Sequence, residues 1–269
     1  MYYFNRRTLI VAFAIMLVLS FTLSACGGAA SDKVLKIGVD DSYPPMEYKD
    51  DKNATVGFDV DLANEIGKKL GMKVEFISTA WDGIFQALNT DKFDTIISSV
   101  SITDERLQNF ALTKPYIANA QVIVVAPDNN SIKEAKDLAG KKVGCQVNTT
   151  AHDSAKKFLE TTKFDLSTYD QVIQPFADLK TGRLDAVIVD EVVARYYVVQ
   201  DPKSFKVSSG KLTNEPIGIC FKKSNTAMRD KVDKIIVDLR NDGTLKKISQ
   251  KWFGEDLTSN IDEKLKGAE

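Results

Sequence analysis

From Val34 onward the chain alternates short apolar runs with amphipathic stretches, and this alternation restricts the fold more than any other property of the sequence. Val34–Val39 reads as a strand, and Phe58–Leu70 as a helix. Phe58, Leu62, Ile66 and Leu70 recur on one face at a spacing of four, and Gly71 closes the helix. Strands are predicted at 73–78 and 94–100 and a helix at 82–89, and Thr103 precedes Asp104 and Glu105 as the N-cap of another helix. A second series places strands at 121–126, 142–146 and 185–189 between helices at 131–138, 150–159 and 177–183. After an apolar strand at 217–221, residues 226–252 read as helical, with Val232, Ile235, Ile236 and Leu239 on the core face and a break at Gly243. Such alternation predicts an α/β protein with largely parallel sheets. Two βα series with a helical tail, and no Pro- or Ser-rich linker between them, predict two lobes joined by short hinge strands. The tail packs back on the first lobe and the ligand site lies in the cleft.

Composition narrows the function. The 269 residues carry 36 basic and 37 acidic side chains and are 43% hydrophobic, which disfavours collagenous, disordered and strongly basic nucleic-acid-binding chains. A single histidine, His152, excludes any site built from several imidazoles. A Ser-His-Asp hydrolase would depend on that one base. His152 itself, near a helix start, reads as a surface residue. No metal and no cofactor is expected. Three cysteines cannot form a disulfide framework. Cys145 and Cys220 fall on different strands and read as buried thiols, with a disulfide between them as the alternative.

The first residues do not fit the globular pattern. Arg6 and Arg7 precede an apolar run from 9 to 19 and then Leu23-Ser24-Ala25-Cys26, the order of a cleaved export signal covering 1–25. The apolar run falls short of the roughly 18 residues that a spanning helix needs. The LSAC sequence resembles the lipobox of bacterial lipoproteins, which implies that Cys26 carries the lipid and that residues 26–33 form a leash. Two acyl chains would anchor the protein peripherally, outside the cytoplasmic membrane. Without its two leader arginines, the mature chain is mildly acidic.

The motifs from 34 to 254 resemble those of bacterial extracellular solute-binding proteins of family 3, the polar amino-acid class of ABC importer receptors. They are Gly38-Val-Asp-Asp-Ser-Tyr-Pro-Pro-Met-Glu47, Gly57-Phe-Asp-Val-Asp-Leu62, Ser98-Ser-Val-Ser-Ile-Thr-Asp-Glu-Arg106, Thr113-Lys-Pro-Tyr116, Asp185-Ala-Val-Ile-Val-Asp-Glu191, Asp242-Gly-Thr244 and Trp252-Phe-Gly254. The resemblance implies a periplasmic-binding-protein-like fold of two α/β lobes joined by two hinge strands. Lobe 1 would be 34–118 with 218–269, and lobe 2 would be 119–217. It implies a monomeric receptor that closes on a free polar amino acid and presents it to permease subunits, with no nucleic-acid partner.

It also implies roles for single residues, and these agree with their chemistry. Arg106 would hold the ligand carboxylate through its planar fork, although spacing alone would equally allow a surface pair with Asp104 or Glu105. Ser98, Ser99, Val100 and Ser101 end a strand where open α/β sheets bind ligands. Thr149 and Thr150 open a helix whose free N–H groups suit an anion, with Gln146 beside them. Asp190 would accept from the α-ammonium, its alternative being a helix N-cap. Tyr43 and Trp81 would form the pocket wall, a surface that suits a cation, an aromatic ring or a disulfide. Asp40, with Glu47 nearby, would pair with a distal cation, which favours basic ligands such as arginine or lysine over cystine, glutamine or an aromatic amino acid. A sensory or adhesive lipoprotein using the same pocket, and a dehydratase-like enzyme with Glu47 or Asp190 as acid or base, are the competing readings.

Overall fold

The computed structural model describes residues 33–208 and 210–262. The export leader, Cys26 and the leash up to residue 32 lie outside the described residues. In chain order the elements are β1 Val34–Val39, the short strands β2 Ser42–Tyr43, β3 Glu47–Lys49 and β4 Thr55–Val56, α1 Phe58–Leu70, β5 Lys73–Ser78, α2 Trp81–Asn89, β6 Thr95–Ser101, α3 Asp104–Asn109 and β7 Phe110–Leu112. There follow β8 Gln121–Val125, a 3₁₀ turn at Ala135–Leu138, β9 Lys142–Gln146, α4 Thr150–Leu159, β10 Asp165–Tyr169, α5 Ile173–Lys180, β11 Ala186–Asp190, α6 Glu191–Gln200 and β12 Lys206–Val207. The chain ends in β13 Ile217–Lys222, α7 Thr226–Asn241 and α8 Thr244–Phe253.

These elements make two lobes, each around a five-stranded sheet. The first sheet has the order β5-β1-β6-β13-β7 and the second β10-β9-β11-β8-β12. Both are mixed, which corrects the expectation of largely parallel sheets. β1 runs parallel to β5 and β6, whereas β13 is antiparallel to β6 and β7. In the second sheet β9 is parallel to β10 and β11, and β8 is antiparallel to β11 and β12. The reversed strands are the ones that follow a crossing between lobes. The chain crosses once between β7 and β8 and returns between β12 and β13, where Ile117 and Ile217 pair as an antiparallel bridge.

Both faces of each sheet are covered, so their central strands are apolar at nearly every position. Leu35, Ile37, Ile97, Ile219 and Phe221 face one cluster with Phe58, Leu62 and Ile66 of α1 and Val232, Ile236 and Leu239 of α7. Ile96, Val100 and Cys220 face the opposite cluster with Trp81, Ile84 and Leu88 of α2. In the second lobe Val122, Val124, Val187 and Val189 continue the first cluster across the hinge. Ile123, Val125, Ala186 and Ile188 pack with Cys145, Ala155 and Phe158 on the α4 side. Cys145 and Cys220 are free, buried thiols in separate clusters. Burial pushes each thiol up to about 12.

The helix expected at 131–138 is only the 3₁₀ turn, because the Asn129 carboxamide accepts the Ser131 and Ile132 N–H groups and holds the first half as a turn. The helix expected at 177–183 begins earlier, at Ile173, and ends before Gly182, whose φ is +73°. The single helical tail is two helices, with Gly243 at φ +78° between them. His152 is half-buried, and its Nδ1 accepts the Asn148 N–H at 3.1 Å, so it is not a free surface side chain.

Gly57, in the second of the family-like motifs, sits at φ +145° ahead of α1, and a Cβ there would lie 2.0 Å from the Met46 carbonyl oxygen. Gly57→Ala must therefore displace backbone in addition to straining φ. It is expected to destabilise the fold by about 2–3 kcal/mol, seen as a lower midpoint in urea unfolding.

Candidate functional site

Between the lobes, the C-terminal ends of β1, β6, β9 and β11 converge on one cavity, about 280 Å³ of space counting its opening to solvent. It is lined by Asp40, Tyr43, Glu47, Trp81, Ser98, Ser99, Ser101, Arg106, Gln146, Thr149, Thr150 and Asp190. Of the thirteen ligand-binding candidates chosen from sequence, twelve meet there. Val100 does not: its side chain is buried with Ile84 and Leu88 on the other face of β6.

Arg106 is the third residue of α3, whose N-cap Thr103 accepts the Arg106 N–H at 3.2 Å. Its side chain turns back over the helix start. Nη1 donates to the Ser101 carbonyl at 2.9 Å, and the guanidinium carbon lies 5.5 Å from the Trp81 ring centre and 5.1 Å from that of Phe85. Two aromatic faces and one carbonyl fix the plane of the fork. No described carboxylate pairs with it, so the surface pairing with Asp104 or Glu105 does not form. Burial pushes its pKa down, and Glu215 and Asp190 pull it back up. At ordinary pH it is a cation whose remaining N–H donors are free to take an anion.

Asp190 ends β11 and stands at the N-cap position of α6, yet its side chain makes no cap. The carboxylate turns instead into the cleft, where Oδ2 accepts from the Tyr43 hydroxyl at 2.6 Å. Its Oδ1 accepts from Asn119 Nδ2 at 2.7 Å and Gln121 Nε2 at 2.6 Å. Burial raises its pKa, and these three donors and Arg106 oppose the rise. Thr150 opens α4, and its hydroxyl accepts from Gln121 Nε2 at 3.0 Å and lies 3.3 Å from Ser101 Oγ. Thr149 caps α4 while its own hydroxyl donates to the Gln146 carbonyl at 2.8 Å. Thr149 and Thr150, at the start of this helix, line the same cavity as Arg106, and a helix N-terminus suits an anion.

At the other end of the cavity, Asp40 accepts from the Ser42 hydroxyl at 2.7 Å and from Gln146 Nε2 at 2.8 Å. The second contact crosses the cleft. Burial raises the Asp40 pKa, opposed by both hydrogen bonds. Gln146 also donates to the Asp170 carbonyl at 3.0 Å, and its Oε1 is a buried acceptor with no partner. Trp81 closes one wall, its Nε1 donating to the Asn148 carbonyl of the opposite lobe at 2.8 Å, and Asn148 also reaches Asp82. The lobes thus touch through Tyr43–Asp190, Asp40–Gln146, Ser101–Thr150, Trp81–Asn148 and Asp82–Asn148.

Sequence reasoning missed Asn119, Gln121 and Glu215. Gln121 and Glu215 sit at the two crossings, and Gln121 Nε2 lies 3.3 Å from Glu215 Oε2. Each reads in sequence as a polar residue beside an apolar strand, and only the paired hinge brings them behind Asp190 and Thr150. Burial raises the Glu215 pKa.

Three comparisons bear on this geometry. Residues 35–255 match the family model for bacterial extracellular solute-binding proteins, family 3. The L-cystine-binding protein TcyJ of Escherichia coli (strain K12) is 32% identical over 225 residues, covering 83% of this chain and 84% of that one. An ancestral arginine-binding protein, solved bound to arginine, is 40% identical with a TM-score of 0.79, covering 82% of this chain and 98% of its own. The arginine-, lysine-, histidine-binding protein ArtJ from Geobacillus stearothermophilus is 34% identical with a TM-score of 0.77, covering 83% and 96%.

Proposed function

The chain belongs to the bacterial extracellular solute-binding proteins of family 3, and on that premise we propose that it is an amino-acid receptor of an ABC importer whose ligand is a basic L-amino acid, arginine or lysine. The observation that carries the choice of ligand is the charge of the cavity. Asp40 and Asp190 line it as carboxylates, and Arg106 is its single cationic side chain. In this reading Arg106 and the N-terminus of α4 take the α-carboxylate, and Asp190 takes the α-ammonium. Asp40 and the free Gln146 Oε1 take the distal cation, and Tyr43 and Trp81 flank the aliphatic stem. Serines 98, 99 and 101 and Thr149 and Thr150 complete the polar lining. Cystine fits less well: its second carboxylate would enter a cavity that has no second cation. Closure brings the lobes together over the ligand, excludes water and strengthens each ion pair.

The same reading places the protein outside the cytoplasmic membrane, tethered through a lipidated Cys26, with permease subunits as its protein partner. The support for the tether is the LSAC sequence behind a short apolar leader. Among the described residues no helix is long and apolar enough to cross a membrane.

A thermal-shift screen of the twenty amino acids with ornithine and cystine tests the reading. A ligand at a thousandfold excess over Kd stabilises the folded state by about 4 kcal/mol, roughly 10 °C in Tm for a body of this size. Arginine, lysine or ornithine is expected to give the largest rise. A larger rise with glutamine or cystine would reassign the ligand, and no rise with any amino acid would sink the receptor assignment.

A further inference from the structure

Beneath the serine-rich end of β6 lie two carboxyls that no ligand contact in the reading above requires. Glu47, on β3, is 0% exposed; its Oε1 accepts from the Ser98 hydroxyl at 2.7 Å, and its Oε2 is buried with no donor facing it. Ser98 Oγ in turn accepts the Asp40 N–H at 2.9 Å. Asp59, at the start of α1, is 1% exposed and accepts the Ser99 N–H at 2.8 Å and the Tyr116 hydroxyl at 2.7 Å. Ser99 is held at φ +49°, a left-handed conformation that a serine seldom adopts without external support.

Each carboxyl lies within interaction range of the other. The groups facing Glu47 are Ser98, Asp59, Asp40, Tyr43 and Tyr116, and none is cationic. Two adjacent buried carboxyls with no cation cannot both be ionised at modest cost, so one proton stays between them. Asp59 already accepts from two donors and suits the anion. The Glu47 oxygen with no donor facing it suits the proton.

We propose that Glu47 is a protonated positioning residue which donates from Oε2 to the Asp59 carboxylate, and that this acid pair fixes Ser98 and Ser99 in the geometry that receives the ligand. The role in binding rests on the receptor reading; the location of the proton does not. Burial and the neighbouring Asp59 charge push Glu47 well above the usual carboxylate range, and burial pushes Asp59 up to about 6, in keeping with a shared proton. The pKa of Glu47 is raised on folding, so its contribution to stability is complete below the ordinary glutamate value. That contribution is lost as pH rises through the folded value.

Three variants separate this role from simple packing. A glutamine at 47 can donate from its amide nitrogen to Asp59 and accept from Ser98, so Glu47→Gln is expected to bind arginine within about threefold of wild type in calorimetry. Glu47→Ala removes both bonds and is expected to lose about tenfold or more. Asp59→Asn replaces the acceptor of three donors and is expected to lose at least as much. Wild-type affinity is expected to fall as pH rises through the Glu47 titration, and the profile of Glu47→Gln is expected to be flatter. A ¹³C NMR titration of the Glu47 carboxyl in the wild-type chain reads the proton directly, without ligand. A Glu47 that titrates in the ordinary glutamate range, or a Glu47→Gln variant as weak as Glu47→Ala, would overturn the proposal. If wild type binds no amino acid while Glu47 still titrates high, the receptor reading and with it the binding role fail, but the shared proton stands.

Discussion

Arg106→Ala is expected to weaken amino-acid binding by roughly thirtyfold or more while lowering the Tm of the free protein little. The guanidinium makes one hydrogen bond to its own lobe, to the Ser101 carbonyl, and has no described carboxylate partner. What it loses on truncation in the free protein is therefore small: one carbonyl contact and two cation–π contacts with Trp81 and Phe85. The complex loses far more, because truncating one side of a desolvated charge pair costs about 2–5 kcal/mol, a factor of roughly 30 to several thousand. Arg106→Lys should recover little of this, since an ammonium cannot donate two parallel bonds to a carboxylate or stack flat between two rings. Isothermal titration with the ligand found in the screen, set beside a thermal melt, gives both numbers. Affinity within threefold of wild type would remove Arg106 from carboxylate recognition.

Asp40→Asn makes the complementary prediction, on selectivity. Asp40 is 6% exposed and its carboxylate already accepts from Ser42 and Gln146, so asparagine can keep the Ser42 bond while losing the charge. A hydrogen bond to a charged group contributes about 1.5–3 kcal/mol, so arginine and lysine should weaken by roughly tenfold to a hundredfold. Any neutral side chain that binds should change little. Removing a buried carboxylate also relieves desolvation, and the free variant is expected to be as stable as wild type or more so. The check is a pair of titrations, one with a basic amino acid and one with glutamine. An equal loss for both would show that Asp40 acts through the shape of the site and not through the distal charge.

The legibility of the sequence followed the physics of each element. α1 was readable to the residue because its apolar face, first-turn acids Asp59 and Asp61, and Gly71 all agree. β10 was not predicted: Asp165–Tyr169 is a polar edge strand, half exposed, whose only sequence signal is an alternation too short to trust. α6 was not predicted either. Its run of valines and tyrosines has strand-like propensity, and it is helical because Val192, Val193 and Ala194 pack against the second sheet. The sheets were expected parallel because periodicity reports a strand and never its direction. At the site, side chains next to strand ends in the family-like motifs were legible, and Asp190 and Arg106 are the clearest cases. Gln121 and Glu215 were not, since their meeting depends on the pairing of two crossings about a hundred residues apart in sequence. The Glu47 and Asp59 pair lay in two motifs that were both recognised, but nothing in either motif says that the carboxyls touch.

The position of β13 has a consequence for synthesis. This strand lies inside the first sheet, between β6 and β7, although it comes from the far end of the chain. A ribosome that has made β1 to β7 has therefore made a sheet with a missing interior strand, in which β7 has no neighbour to pair with. The second sheet is continuous from β8 to β12 and can close before β13 emerges. Lobe 2 is thus the unit able to complete first on the nascent chain, and lobe 1 waits for its last third. Until then the edges of β6 and β7 that β13 will pair stay open, and an exported chain that travels unfolded and folds after translocation avoids that interval on the ribosome.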